Sequence, residues 1–147
     1  MPSFNLSLPV ETSNAALWAL ISDVPRFAGL FPYIAVDEIQ SPAPGHWSFQ
    51  RRLEIPNLAQ LCWREENRVT GERELSFQAV EGDLQCFTGR WLVTGNGGGA
   101  TLELVLEYEV PESIGAQIPA GLAQYVMNEL FKSICNKIKE AAEGEGR

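Results

Sequence analysis

Histidine is nearly absent: His46 is the only one in 147 residues. A Ser-His-Asp or Cys-His mechanism would have to run through that single ring. It follows the Pro42–Gly45 turn, and its strand parity directs it away from the apolar face, so a surface position is expected. With no acid cluster beside it, no metal site is expected. Cysteine is scarce as well. Cys62, Cys86 and Cys135 are odd in number and match no zinc or redox spacing, which argues against a disulfide framework. They read as reduced, half-buried packing residues.

Positive charge is the next shortage. The 11 Lys and Arg face 19 Asp and Glu, for a formal net charge of −8. Only Arg51-Arg52 and the set Lys132, Lys137 and Lys139 cluster at all, so a phosphate backbone or an anionic bilayer would be repelled. No apolar run approaches the ~20 residues of a membrane span, and the start lacks the basic and apolar stretches of a signal peptide. A cytoplasmic protein is expected, with no membrane insertion and no nucleic-acid partner. Gly97-Gly-Gly99 lacks the following lysine and helix of a phosphate loop and reads as a hairpin tip. No dinucleotide fingerprint is present, and no cofactor is expected. Without repeats or low-complexity linkers, residues 1–147 read as one domain with a loose tail over Glu143–Arg147.

What the chain has is alternation. In Ser3–Pro9, Phe4, Leu6 and Leu8 alternate with Ser3, Asn5 and Ser7, the period of a half-buried strand. Thr12 and Ser13 are cap candidates for a helix over Ala15–Ser22, and Asp23-Val-Pro25 opens a second short helix through Phe27 and Leu30. Six strand-like runs follow: Tyr33–Ser41, His46–Ile55, Ala59–Val69, Arg73–Glu81, Gln85–Thr94 and Thr101–Val110. The short turns between them imply antiparallel neighbours. From Ala120 to Ala142, Ala123, Met127, Leu130, Ile134, Ile138 and Ala141 recur at helical spacing. That helix would be roughly 35 Å long, enough to cross a sheet.

Parity defines an inner face. Leu102, Leu104, Leu106 and Tyr108 face one way, against Glu103, Glu107 and Glu109. Carried through the short turns, this sends inward Phe87, Gly89, Trp91 and Val93; Leu75, Phe77 and Ala79; Leu61, Trp63, Glu65 and Asn67; and Trp47, Phe49, Arg51 and Leu53. Arg51 and Glu65 therefore fall on the apolar face of adjacent strands. An unpaired buried charge is costly, so they are expected to pair, either as a structural ion pair or as the polar anchors of a cavity. Gly89 marks a bend, or a close approach of a ligand.

Three stretches carry a resemblance: Pro9–Trp18 with Ile21–Phe27 and Phe31-Pro32; Glu81-Gly-Asp-Leu84 with Phe87-Thr-Gly-Arg-Trp91; and Thr101–Val110 leading into the last helix. Together they resemble the START-like (SRPBCC, helix-grip) superfamily, in its polyketide cyclase and coenzyme Q-binding branch. The resemblance implies an α+β helix-grip fold. A curved seven-stranded antiparallel sheet would wrap a long C-terminal helix, with two short helices after the first strand. It also implies a cavity between sheet and helix for a small hydrophobic molecule such as a lipid, an isoprenoid quinone or a polyketide.

The expected wall is Trp47, Phe49, Arg51, Trp63, Glu65, Phe77, Phe87, Trp91, Leu104 and Leu106 from the strands, with Met127 and Leu130 from the helix. By analogy of fold, the Phe27–Phe31 segment and the Glu112–Ala120 loop would control access. Three readings stay open. The first is a non-catalytic binder or carrier. The second is a cyclase or dehydratase using Arg51 and Glu65 as its catalytic candidates, with burial raising the glutamate pKa and the arginine lowering it. The third is an interaction module of the ribosome-association toxin type.

Overall fold

The computed structural model describes residues 2–96 and 99–145. β1 (Ser3–Val10) turns Phe4, Leu6 and Leu8 to the core side. The Ser13 hydroxyl accepts the Ala16 amide and starts α1 (Asn14–Ser22). The Asp23 carboxylate accepts the Arg26 amide and starts α2 (Val24–Ala28), with Pro25 tolerated in its first turn. Six strands follow: β2 (Ile34–Ala43), β3 (His46–Ile55), β4 (Ala59–Gly71), β5 (Glu74–Gly82), β6 (Phe87–Asn96) and β7 (Gly99–Tyr108). They form a seven-stranded sheet in the order β1-β7-β6-β5-β4-β3-β2, with every neighbouring pair antiparallel. After α3 (Glu112–Gly115), α4 (Ala120–Glu145) lies against the inner face. This is the expected helix-grip arrangement. No helix among the described residues is long and apolar enough to cross a membrane.

The inner-face parity is observed strand by strand. Arg51 pairs with Trp63 and Phe49 with Glu65 across β3 and β4; Phe77 pairs with Gly89 across β5 and β6. Tyr108 fastens sheet to helix, its hydroxyl donating to Asn128 Oδ1 at 2.7 Å.

Several expectations need correction. The buried side of α4 runs through Ala123, Met127, Phe131, Cys135, Ile138 and Ala142. Leu130, Ile134 and Ala141 are only partly buried beside it, because the contact steps by four from Met127 to Phe131 and Cys135 and from Ile138 to Ala142. The Glu112–Ala120 segment is not all loop. Ile114 is fully buried and anchors α3, and the Gln117 amide donates to the Leu58 and Ser113 carbonyls. The tail is helical through Glu145, because Glu143 accepts the Glu11 amide and pairs with Lys139. Gly146 and Arg147 lie outside the described residues, as do Gly97 and Gly98 of the hairpin tip. The cysteines are free but not alike: Cys62 is exposed, Cys86 half-buried and Cys135 buried. Burial pushes the Cys135 thiol up to about 12. His46 does face away from the core, yet its side chain is only 19% exposed, with Nε2 3.8 Å from Glu66.

Gly89 is where the sheet comes closest to itself. A Cβ there would lie 2.3 Å from the Val105 carbonyl oxygen and 2.7 Å from Leu106 Cβ. Neither can rotate away. Gly89→Ala should cost about 1–3 kcal/mol or more, read as a lower urea midpoint at unchanged slope. An unchanged midpoint would mean that β6 and β7 stand further apart than described.

Candidate functional site

Between the sheet and α4 lies a cavity of about 60 Å³. Its wall is mostly aliphatic and aromatic. Phe77, Phe87 and Trp91 form a connected ring cluster, with Phe87 5.8 Å from Trp63 and Phe27 5.9 Å from Trp91 between centroids. Of the expected wall, the cavity is bordered by Arg51, Trp63, Glu65, Phe77, Phe87, Trp91, Leu104, Leu106 and Met127. Trp47, Phe49 and Leu130 do not border it. Phe49 is fully buried beneath the Arg51 guanidinium, 5.0 Å from ring centroid to Cζ. Trp47 and Leu130 pack against the margin of the core. Leu53, Asn67 and Leu75, expected on the inner face, Ile134, expected on the apolar side of α4, and Phe27, expected in the access segment, also border it. Ile21 and Val24 from the short helices, Ile34 and Leu84 from the sheet side and Phe131 from α4 complete the wall. Strand parity alone could not find the short-helix members, because their approach depends on tertiary packing.

One end of this apolar chamber is polar. Glu65 is 3% exposed, and its Oε1 accepts the Trp63 indole N–H at 3.0 Å. Asn67 satisfies its neighbours with its amide nitrogen toward Glu65, donating to Oε2 at 2.9 Å and to the Glu66 carbonyl at 3.3 Å. Arg51 Nη2 stands 3.6 Å from Oε2, an ion contact longer than a hydrogen bond. The guanidinium is held between ring faces, 5.5 Å from the Phe27 centroid and 5.0 Å from that of Phe49. Its Nε is buried without a hydrogen-bond partner. Burial raises the Glu65 pKa above its ordinary value; the nearby Arg51 charge and the Trp63 hydrogen bond oppose this and do not cancel it. No group of three or more His, Cys, Asp and Glu among the described residues could hold a metal ion.

Residues 10–137 match the family model described as polyketide cyclase / dehydrase and lipid transport. The chain belongs to this family. Among curated proteins, none matches it in sequence. Solved structures share the family's fold closely and its sequence little. The Thermus thermophilus protein TTHA0849 superposes with a TM-score of 0.85 at 18% identity, covering 99% of this chain and 100% of that one. The Zhui aromatase/cyclase from a Streptomyces species gives 0.74 at 14% identity over 99% and 93% of the two chains. A START superfamily protein from Mycobacterium smegmatis gives 0.77 at 14% over 97% of each. At these identities the likeness speaks for the fold alone. The polar end of its cavity is formed by Arg51, Glu65 and Asn67.

The raised Glu65 pKa has a signed consequence for stability. A carboxyl with a folded pKa above its unfolded value stabilises the fold below the unfolded pKa, and that contribution is lost as pH rises through the folded value. Compared with Glu65→Gln, the wild-type protein should therefore lose stability as pH climbs above the ordinary value of 4.5. Urea midpoints of both proteins across a pH series measure the difference. Parallel curves would show that folding leaves the Glu65 pKa unshifted.

Proposed function

We propose that the chain binds a small, mainly apolar molecule carrying an oxygen acceptor, with that oxygen on Arg51. One observation carries this reading. Arg51 borders an otherwise apolar cavity, has an unpartnered buried Nε, and is supported from behind by aromatic faces and Glu65. Apolar pockets with a few convergent polar groups are the usual form of small-ligand sites. Family membership supports a hydrophobic ligand or a cyclase role.

Volume constrains the reading. A cavity of about 60 Å³ has room for only a few water molecules, against ~300–1,000 Å³ for typical ligand pockets. A lipid, quinone or polyketide must therefore displace side chains as it enters. The five-residue helix α2 is the segment best suited to move. Its Phe27 covers Arg51 and packs edge-on to Trp91. The α3 segment is less suited, being pinned by Ile114 and Gln117.

The raised Glu65 pKa favours a second reading, a cyclase or dehydratase in which Glu65 moves a proton beside a carbonyl held by Arg51. Turnover of a poly-ketone that survives alanine at both positions would exclude it.

Native mass spectrometry of protein from its own host, with organic extraction, tests the binding reading. One co-purified apolar molecule bearing a carbonyl, carboxyl or quinone oxygen is expected, with weaker retention by Arg51→Gln. An apo mass, together with no binding of a medium-chain fatty acid or a small quinone, would overturn the proposal. So would equal retention by Arg51→Gln.

A further inference from the structure

The two edges of the sheet are protected unequally. At the β2 edge the register shifts between Asp37 and Gln40 and again between Gln40 and Ala43, and Glu38 sits at φ 54°. Asp37, Glu38 and Pro42 add charge and remove an amide. Bulges, charges and prolines are the devices by which edge strands avoid pairing with another chain. β1 has none of them before Pro9. It runs its eight residues in unbroken register with β7, and residues 2–10 carry no charged side chain.

The free edge presents definite groups. The Tyr108 amide donates to the Pro2 carbonyl at 3.1 Å, so the backbone groups of Pro2 face β7. Alternation in an antiparallel ladder sends those of Phe4, Leu6 and Leu8 the same way, and those of Ser3, Asn5 and Ser7 outward. Pro9 falls in the outward set, where its missing N–H costs no ladder bond. Among the described residues the sheet ends at β1. On the core side, Phe4, Leu6 and Leu8 are only half-buried, whereas their β7 partners Leu106, Leu104 and Leu102 are buried.

We propose that β1 is a self-association edge, on which two copies of this chain pair β1 with β1, antiparallel about a two-fold axis at Asn5. That axis sets Asn5 opposite Asn5 of the partner subunit and Ser3 opposite Ser7 of the partner subunit. Every outward N–H and C=O of the three residues then finds a partner. Moving the axis to Leu6 would bring Pro9 into the ladder with no amide to offer. The chosen axis also brings Phe4 beside Leu6 of the partner subunit on the core side, extending the cover over half-buried apolar surface.

Self-complementarity selects a second copy as the occupant, since under the two-fold the outward backbone groups of β1 satisfy one another. Two chains of −8 repel over most of their surfaces, but β1 itself carries no charge, and the Glu103 carboxylate that reaches the seam accepts the Ser7 hydroxyl at 3.1 Å. The nearest acids, Glu103 and Glu107, stand one strand back on β7. Across the joined sheet Glu103 stands opposite Glu107 of the partner subunit at three strand spacings, about 14 Å between backbones, beyond the ~10 Å screening length of 0.1 M salt. The blunted β2 edge offers β1 no second template, so pairing closes at two copies and does not propagate as a fibre.

Sedimentation velocity over a concentration series at moderate salt should show the mass rising from the 16.2 kDa chain to its double. Removing salt should weaken the dimer. Asn5→Lys sets two ammonium groups face to face on the axis and should weaken association about tenfold or more. At dilutions where the parent is monomeric its urea midpoint should be unchanged, because Asn5 is exposed. Asn5→Asp should act likewise, and mixing the two variants should restore a heterodimer. A chain monomeric at every concentration would overturn the proposal. So would an Asn5→Lys variant that associates like the parent, a mixture that stays monomeric, association that tightens as salt is removed, or growth beyond two copies.

Discussion

The Arg51 guanidinium and the Glu65 carboxylate lie 3.6 Å apart on the side of the sheet that excludes water. Neither could remain there alone. Burying one ion costs on the order of several kcal/mol, and removing either partner leaves that cost uncompensated. Everything nearby answers to this pair. Trp63 and Asn67, from the same strand as Glu65, turn donors onto its oxygens. Phe27 and Phe49 offer ring faces to the arginine. α2 has to sit where it does for Phe27 to reach. The pair thus links the short helices to β3 and β4 through contacts that an apolar substitution would not reproduce.

Away from this pair the space beneath α4 is packed with rings. Phe77, Phe87, Trp91 and Phe131 fill the space beneath α4 through ring contacts of 5–7 Å, a spacing characteristic of tilted and edge-on aromatic pairs. Such rings are large but turn about few bonds. A modest shift of Phe27 and its neighbours would enlarge the cavity without disturbing the ladders. Those ladders are anchored by close approaches such as Gly89 over Val105, which allow little play.

Much of this was legible in the sequence, for a definite reason. Side-chain parity has a period of two, and short turns transmit it from strand to strand, so the alternation of Leu102, Leu104 and Leu106 with Glu103 and Glu107 predicted which face Arg51 and Glu65 share. Their proximity followed from adjacent strands. The face of α4 was less legible. Leu130 and Phe131 are both apolar, and only the packed helix shows that Phe131 faces in. The α3 turn carries a weak local signal, and its order comes from Ile114 and Gln117 in tertiary contact. Asn67 could be placed on the inner face, but its amide contact with Glu65 could not, since side-chain rotation lies beyond periodicity. The size of the cavity was the least accessible of all, because it is a small difference between large packed volumes.

Hydrogen-bond accounting at the polar end says more about the ligand than the shape of the chamber does. Both Glu65 oxygens already receive donors, one from Trp63 and one from Asn67. Arg51 meets the carboxylate only through charge, at a distance beyond a hydrogen bond, and keeps Nε unspent. A guanidinium has five donors and no acceptor. The site therefore keeps an unused donor on Arg51, while each Glu65 oxygen already accepts one hydrogen bond. A guest offering a carbonyl or carboxyl oxygen completes Arg51, while one offering only a hydroxyl hydrogen or an ammonium must compete with Trp63 and Asn67 for Glu65. Polarity of this sense selects among apolar molecules even where the aromatic walls do not, because leaving the arginine donor unpaired in a dry chamber costs free energy that no ring contact restores.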